Sequence, residues 1–135
     1  MTLFSFPSSS IAGLGLLVAC GCGSGERLYN LSGAVTYQGK PVPAGTIVFE
    51  PDATKGNKGA AGYAKIKEGR YDTSAAECRG TVGGPHLVRI RGLDGIPRGE
   101  VLGGMPVFPE YSTTADLPME NSTKDFEVPR GGGGP

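Results

Sequence analysis

Cysteine and histidine are the residue types that most readily bind a metal ion or pair as nucleophile and base, and this chain has three cysteines and one histidine. A structural zinc site needs four such ligands, usually as two close pairs, and only Cys20 and Cys22 form a close pair. His86 alternates in phase with the apolar residue Val88, so we expect it to be tucked into a strand end with few partners for catalysis. The sequence therefore predicts no metal site and no cofactor.

The carboxylates do not indicate acid–base catalysis either. Six of them lie in or beside predicted turns, and no two have a spacing that general acid–base chemistry requires: Asp52, Glu68, Asp72, Glu77, Asp94 and Glu100. The glycine-rich stretch 92–99 lacks the Lys-Ser/Thr ending and the following helix of a phosphate-binding loop. We therefore expect a protein that is not an enzyme.

Cys20 stands directly after an unbroken apolar run at residues 11–19, and every charged residue lies between Glu26 and Arg130. The run is too short to cross a bilayer, which needs about 20 apolar residues. Its length is typical of a secretory signal, so residues 1–19 are predicted to be a signal peptide that is removed. The alternative is that the run is a buried strand or helix of the domain.

The segment Leu17-Val18-Ala19-Cys20 resembles the lipobox of bacterial lipoproteins, which is Leu, a small or branched residue, a small residue and Cys. The resemblance implies that the Cys20 thiol carries diacylglycerol and that the chain is cut before it. The lipid would then hold the protein outside the cytoplasm, on the cell membrane or the outer membrane. Cys22 is a rival acceptor, but Ala19 stands where its lipobox would need Leu. A flexible, glycine-rich tether is predicted over residues 20–30.

Acylation of Cys20 would leave Cys22 and Cys78 as thiols. In an oxidising compartment these two could pair, although a bridge from a flexible tether would constrain the fold little. We expect Cys78 to be free and partly buried.

The composition favours a small, turn-rich β domain. The 135 residues include 24 glycines and 11 prolines, and 13 Lys and Arg balance 13 Asp and Glu. Zero net charge provides no basic surface for phosphate contacts, so we expect no nucleic-acid partner. The length suffices for one small domain, predicted over residues 31–129, with a disordered tail at 130–135.

Apolar and polar residues alternate with the period of two that is typical of strands, and turn residues separate the alternating segments. Strands are predicted at residues 31–37, 45–50, 60–67, 70–74, 85–91 and 122–128, with a glycine-rich loop at 92–104. The hydroxyl groups of Tyr71 and Tyr111 are expected to stay in water. About seven short strands without helical periodicity predict an all-β fold, a single small β-sandwich.

Residues 33–49 resemble the opening of carboxypeptidase regulatory-like and transthyretin-like domains: a strand, a Gly-Lys-Pro-Val turn and a second strand. Segments 69–71 and 84–90 are similar to later strands of this family. Residues 108–111 and 125–128 are similar to the ending of small bacterial lipoproteins that carry the domain. The resemblance implies a transthyretin-like (prealbumin-like) β-sandwich, and it does not imply an activity.

The transthyretin-like family includes 5-hydroxyisourate hydrolases, which use several histidines and a Tyr-Arg-Gly-Ser ending. This chain has one histidine, and only Arg130-Gly131 matches that ending. A hydrolase is therefore the remote alternative.

The function predicted from these features is that of a non-catalytic, lipid-anchored module of the cell envelope, either structural or binding an envelope protein or a glycan. The predicted binding loop lies between Gly92 and Tyr111, and its apolar residues are expected to form an exposed patch. These residues are Val101, Leu102, Met105, Val107 and Phe108. The alternative is an accessory or carrier component of an envelope transport or secretion assembly.

Overall fold

The computed structural model describes residues 27–130, which contain nine β-strands, one 3-10 turn and no α-helix. The elements are β1 (Leu31–Tyr37), β2 (Lys40–Pro41), β3 (Ala44–Pro51), the 3-10 turn (Ala53–Lys55), β4 (Gly62–Lys67), β5 (Arg70–Asp72), β6 (Gly84–Leu93), β7 (Tyr111–Leu117), β8 (Ser122–Thr123) and β9 (Phe126–Val128). The predicted all-β class is confirmed for this part of the chain. The predicted signal peptide, residues 20–26 of the predicted tether and the tail after Arg130 lie outside the described residues. Within the described range, no helix is able to span a membrane.

The strands form one largely antiparallel sheet in the order β2-β1-β5-β4-β3-β6-β7. The long central pairings join β3 to β4 and to β6, and β6 also pairs with β7 along seven residues. Near the end of the chain, β8 and β9 pair with β1 in parallel, Leu31 opposite Ser122 and Val35 opposite Phe126. The first and last strands of the described chain therefore lie side by side.

Aromatic contacts show that this sheet is curled. Phe49 on β3 and Phe126 on β9 are separated in the sheet by three strands, yet their ring centroids lie 6.0 Å apart. Tyr71 on β5 lies 5.8 Å from the ring of Phe49 and 6.0 Å from that of Phe126. Strands spaced about 4.8 Å apart in a flat sheet could not bring these rings together, so the sheet folds back over one core.

Two hairpins have turns whose central residues both adopt positive φ, as type I′ turns require. Gln38 and Gly39 connect β1 to β2 with φ of 54° and 76°, and Glu68 and Gly69 connect β4 to β5 with φ of 48° and 77°. These turns match the right-handed twist of antiparallel strands. The turns predicted at Gly39 and at Glu68-Gly69 are confirmed.

The core comes from the alternating positions that the sequence indicated. Along β1, β3, β4 and β6, every second residue is buried and the residues between are more exposed. The buried hydrophobic cluster contains Leu31, Val35, Val42, Ile47, Phe49, Ala64, Ile66, Tyr71, Val88, Ile90, Phe108, Leu117, Phe126 and Val128. His86 is fully buried on the same face of β6, as predicted.

Three details differ from the expectations. β7 was not predicted, because Tyr111–Leu117 has polar residues on both faces, a pattern that an edge strand tolerates and a central strand does not. The predicted strand 122–128 is two short strands, β8 and β9, since the Asp125 carboxylate replaces a backbone partner and accepts the Ala34 N–H at 2.9 Å. The Tyr71 hydroxyl is not in water: it donates to the Lys124 carbonyl at 2.6 Å, and burial raises the pKa of the phenol, with the Asp125 charge adding to the shift.

Candidate functional site

The strand directions define two ends of the sheet. β1 begins at Leu31, next to Ser122 on β8, and this end is the entry end, where the described chain starts. At the opposite end, Ala44 on β3 pairs with both Lys67 and Leu93. β6 leaves the sheet here after Leu93, and the chain returns at Tyr111 to form β7. We call this end the tip end, because the β6–β7 connection projects from it.

Four apolar side chains of the β6–β7 connection are exposed to solvent. Ile96, Val101, Leu102 and Met105 have exposed fractions of 54%, 48%, 77% and 51%, and we call them the apolar tip. The described residues contain seven exposed large hydrophobic side chains in total, so more than half of them belong to this one connection. Clustering of this kind marks interaction surfaces, whereas single exposed apolar residues are ordinary.

The predicted binding loop is only partly exposed. Val101, Leu102 and Met105 are exposed, but Val107 is half-buried against the core and Phe108 is 4% exposed. The expectation that Phe108 belongs to the exposed patch is therefore wrong. Ile96 was missed, although its position between Gly95 and Pro97 is typical of a turn, where an apolar side chain is exposed.

Phe108 is buried because the sheet leaves space for its ring beside Gly92. A Cβ added to Gly92 would lie 2.4 Å from Cε1 of Phe108 and 3.1 Å from Cγ2 of Val107. The other side of the ring packs against Tyr37, with centroids 4.8 Å apart. Phe108 thus fixes the base of the β6–β7 connection to the end of β1 instead of contacting a partner.

A carboxylate organises the tip above this base. Oδ1 of Asp94 accepts the backbone N–H of Ile96 at 2.9 Å and that of Met105 at 3.2 Å, and Oδ2 accepts Nη1 of Arg98 at 3.1 Å. The backbone N–H of Asp94 donates to the Met105 carbonyl at 2.9 Å. Gly104 permits this arrangement, since a Cβ there would lie 2.0 Å from Oδ1 of Asp94 and its φ is +93°. The connection has two arms, one that leaves β6 and contains Ile96 and one that returns to β7 and contains Met105. The side chain of Asp94 therefore ties these two arms together.

The ionised form of Asp94 is the form that ties the tip. The hydrogen bond from the Ile96 N–H, helped by Arg98 and by the Met105 N–H, holds the pKa of Asp94 below its ordinary value of 3.8. A lowered pKa means that the contribution to stability is present above pH 3.8 and is lost as the pH falls through the folded-state pKa.

We therefore expect acid to loosen the tip before the sheet. Protection of the Ile96 and Met105 amides against hydrogen exchange, corrected for the intrinsic rate at each pH, should be constant down to about pH 4 and should decrease below it. In Asp94→Asn the protection should already be low at neutral pH. The amide of Ile47 in β3 serves as the control and should stay protected throughout. Equal protection of the tip amides at about pH 3 and pH 7 would contradict this role of Asp94.

A shallow groove lies beside the tip at the same end of the sheet. Its volume is about 310 Å³, and its lining residues come from the β1–β2 turn and from the connection: Tyr37, Gln38, Lys40, Pro41, Val42, Pro43 and Val107. The groove brings the ring of Tyr37 and two prolines close to the half-buried Val107. The tip and this groove therefore lie at the same end of the sheet, and none of the four tip residues lines the groove.

Among the described residues, the reactive side chains of His86 and Cys78 belong neither to the apolar tip nor to the groove. Nδ1 of His86 is 2.8 Å from the Gly84 carbonyl, so Nδ1 carries the proton, and the buried Nε2 has no hydrogen-bond partner among the described residues. Cys78 is half-buried and forms no disulfide with another described residue. Cys20 and Cys22 lie outside the described part, so their lipidation and pairing stay predictions. Within residues 27–130, no three His, Cys, Asp or Glu residues are grouped so that they could hold a metal ion.

Comparison with known proteins identified no relative. No family model matches the chain, no curated protein is similar to it at a significant level, and no solved structure matches its fold significantly.

Proposed function

We propose that this protein is a non-catalytic lipoprotein of the cell envelope that binds another envelope protein through the apolar tip. The observation that carries the proposal is the tip itself: four apolar side chains of one connection are exposed, and the half-buried carboxylate of Asp94 accepts the backbone N–H groups of two of these residues, Ile96 and Met105. A non-catalytic role is supported by the position of His86, which is buried and bonded to the backbone far from the tip.

A protein partner is favoured over a glycan by the chemistry of the tip. Protein interfaces bury apolar anchors inside a polar rim, and here the exposed, charged residues Arg98 and Glu100 lie between Ile96 and Val101. Sugar-binding sites instead rely on aromatic platforms surrounded by hydrogen-bonding side chains, and the tip has no aromatic residue. Because the tip is already ordered by internal hydrogen bonds, little conformational entropy would be lost on binding.

The position of the tip suits a protein held by its amino terminus. β1 runs from the entry end to the tip end over seven residues, a distance of about 20 Å. A lipid on Cys20 would be attached through the predicted tether at residues 20–30, which joins the domain at the entry end. The tip is therefore at the end of the domain remote from the attachment point, where a second envelope protein could reach it.

The arrangement of the strands in two layers is a further part of the proposal. We propose that the curled sheet is a transthyretin-like β-sandwich, with β3 and β6 in one layer and β1 and β9 in the other. The packing of Phe49 against Phe126 supports this description, since these rings lie on strands far apart in sheet order.

The lipid anchor is tested by the mass of the mature protein and by cell fractionation. We expect the full chain, expressed in a bacterium that processes lipoproteins, to begin at Cys20 with added acyl groups and to sediment with membranes. Cys20→Ser should remain uncut and unacylated, whereas the matched variant Cys22→Ser should behave like the original chain. An unmodified amino terminus at Met1 in the original chain would disprove the anchor.

The binding function is tested with a photo-crosslinking side chain in the full-length protein on intact membranes. At position 102 we expect one specific product with a partner that mass spectrometry can identify, and at position 119 we expect none. Met119 is the matched control because it is 68% exposed but lies at the entry end. With the purified partner, Leu102→Asp should weaken binding at least about tenfold, equivalent to about 1.4 kcal/mol, and Met119→Asp should not. Equal products or equal losses at the two positions would contradict the proposed site.

The same experiment addresses the alternative function. A partner that belongs to a transport or secretion assembly would make this protein an accessory component of that assembly.

A further inference from the structure

One edge of the sheet is long and unprotected. β7 pairs with β6 on one side through all seven of its residues, and on its other side no backbone pairing occurs within the described part of the chain. The elements at the other margin are short, since β2 and β8 have two residues and β9 has three. A short edge strand offers few backbone groups to another chain, whereas in β7 every second residue directs its N–H and C=O away from β6 along seven residues.

β7 also lacks the residues that usually protect such an edge. Its sequence, YSTTADL, contains no lysine, proline or glycine, and its only charged residue is Asp116. Its residues pair one-to-one with those of β6 along the whole strand, so β7 contains no bulge. Prolines stand just outside it, at positions 109 and 118, so the segment able to accept a further strand is bounded on both sides.

We propose that two copies of this chain associate through β7, paired antiparallel about a two-fold axis at Thr114, so that one continuous sheet crosses both molecules. This interaction goes beyond the proposed function, because it uses a different edge of the domain and does not depend on the lipid or on the apolar tip. It identifies the occupant of the edge as a second copy, since the residues of β7 are complementary to themselves in this register.

The register follows from which residues would face each other. With Thr114 opposite Thr114 of the second copy, Tyr111 faces Leu117 and Thr113 faces Ala115, all on the side of the sheet that holds the core. On the other side Ser112 faces Asp116, so a hydroxyl can donate to the single carboxylate. The two-fold axis must pass where one residue faces the same residue of the second copy. Directly paired residues in an antiparallel ladder point to the same face of the sheet, and an axis between two neighbouring residues would pair residues of opposite faces.

Neighbouring registers are less favourable. A pivot at Thr113 would place Asp116 opposite Glu110, and like charges directly opposite each other destabilise a strand pair. A pivot at Ala115 would place Ser112 opposite Pro118, which has no N–H to donate, and would leave fewer residues paired. The pivot at Thr114 uses all seven residues of β7 and avoids both conflicts.

The register is tested by disulfide cross-linking. The full chain, purified from membranes in detergent, carries Cys22→Ser and Cys78→Ser so that an introduced cysteine can be assigned. Paired Cα atoms in an antiparallel ladder lie about 4.5–5.5 Å apart, which is within the range of a disulfide. We expect Thr114→Cys to form a covalent dimer at least about tenfold faster than Thr46→Cys, whose threonine is exposed on the internal strand β3.

Two further measurements show whether a cross-link comes from the proposed register. A mixture of Ser112→Cys and Asp116→Cys proteins should cross-link, whereas either alone should not. The background chain without an introduced cysteine reports any cross-linking through an unacylated Cys20, so a failure of the lipid anchor is recognised separately. Circular dichroism of each variant confirms that the strand content is kept.

A charge at the pivot tests the same contact without oxidation. In Thr114→Lys two ammonium groups would face each other, so we expect the protein to sediment as a monomer, while the original chain and the matched variant Thr46→Lys sediment at about twice the monomer mass. Cross-linking at Thr114 no faster than at Thr46, or a Thr114 cross-link to a different protein only, would overturn the proposal. A monomeric original chain would also overturn it.

Discussion

Gly45→Ala is expected to lower the free energy of unfolding by about 4 kcal/mol or more, a large share of the 5–15 kcal/mol that stabilises a typical domain. Gly45 has a φ of +140°, and a Cβ built there would lie 1.9 Å from the carbonyl oxygen of Arg91 and 3.0 Å from its carbonyl carbon. Both atoms belong to the backbone of β6, so no side-chain rotation can relieve the clash. β3 and β6 would have to separate near Leu93, the residue from which the apolar tip projects.

Urea denaturation followed by circular dichroism measures this loss. Gly56→Ala is the matched control, because Gly56 also has a positive φ, +78°, but its added Cβ would meet no atom within 4 Å. Gly56→Ala should therefore lower the free energy of unfolding only by the cost of placing alanine in the left-handed region, about 1 kcal/mol. Similar losses for the two variants would show that the close approach of β3 to β6 is not what requires glycine at position 45.

Phe49→Ala is expected to cost about 3–5 kcal/mol, because it removes a fully buried ring and leaves a cavity at the centre of the curled sheet. Phe49 is 0% exposed and contacts the rings of both Tyr71 and Phe126. Tyr63→Ala is the control on the adjacent strand: Tyr63 is 43% exposed, so truncating it should cost less than about 1 kcal/mol.

A double-mutant cycle extends this prediction to the shape of the sheet. Phe49→Ala and Phe126→Ala should show a coupling free energy of about 0.5–1.5 kcal/mol, since the two rings contact each other across the core. Phe49 and Tyr63, which lie on opposite faces of neighbouring strands, should show additive losses within about 0.5 kcal/mol. Additive losses for Phe49 and Phe126 would mean that the sheet does not close over a shared core.

Local signals in the sequence identified most of the strands. In β1, β3, β4 and β6 the apolar residues recur at every second position, and the burial of these strands follows the same alternation. Such strands have one face toward the core, so the alternation of apolar and polar residues is enough to predict which side chains point inward. β7 was missed for the same reason: as an edge strand it is half-buried on its core face, and Ser112, Thr113 and Thr114 carry no alternation.

The candidate site was predicted less well than the strands. The glycine-rich connection after β6 and three of its exposed residues, Val101, Leu102 and Met105, were identified from their apolar character in a loop. The same reasoning placed Phe108 among them, although it fills a space beside Gly92. An apolar residue in a loop can be exposed or buried, and its type does not distinguish the two cases.

By itself, the sequence determined the all-β class, the two tight turns and the inward faces of the alternating strands, because strand periodicity and turn conformation depend on residues that are neighbours in the chain. Only the tertiary structure decided that β9 lies beside β1, that Phe108 is buried, that Asp94 ties together the arms of the tip and that β7 lies at an edge of the described sheet. Each of these results from segments far apart in the chain coming into contact, and the space and hydrogen-bond partners created there are not encoded in any local pattern.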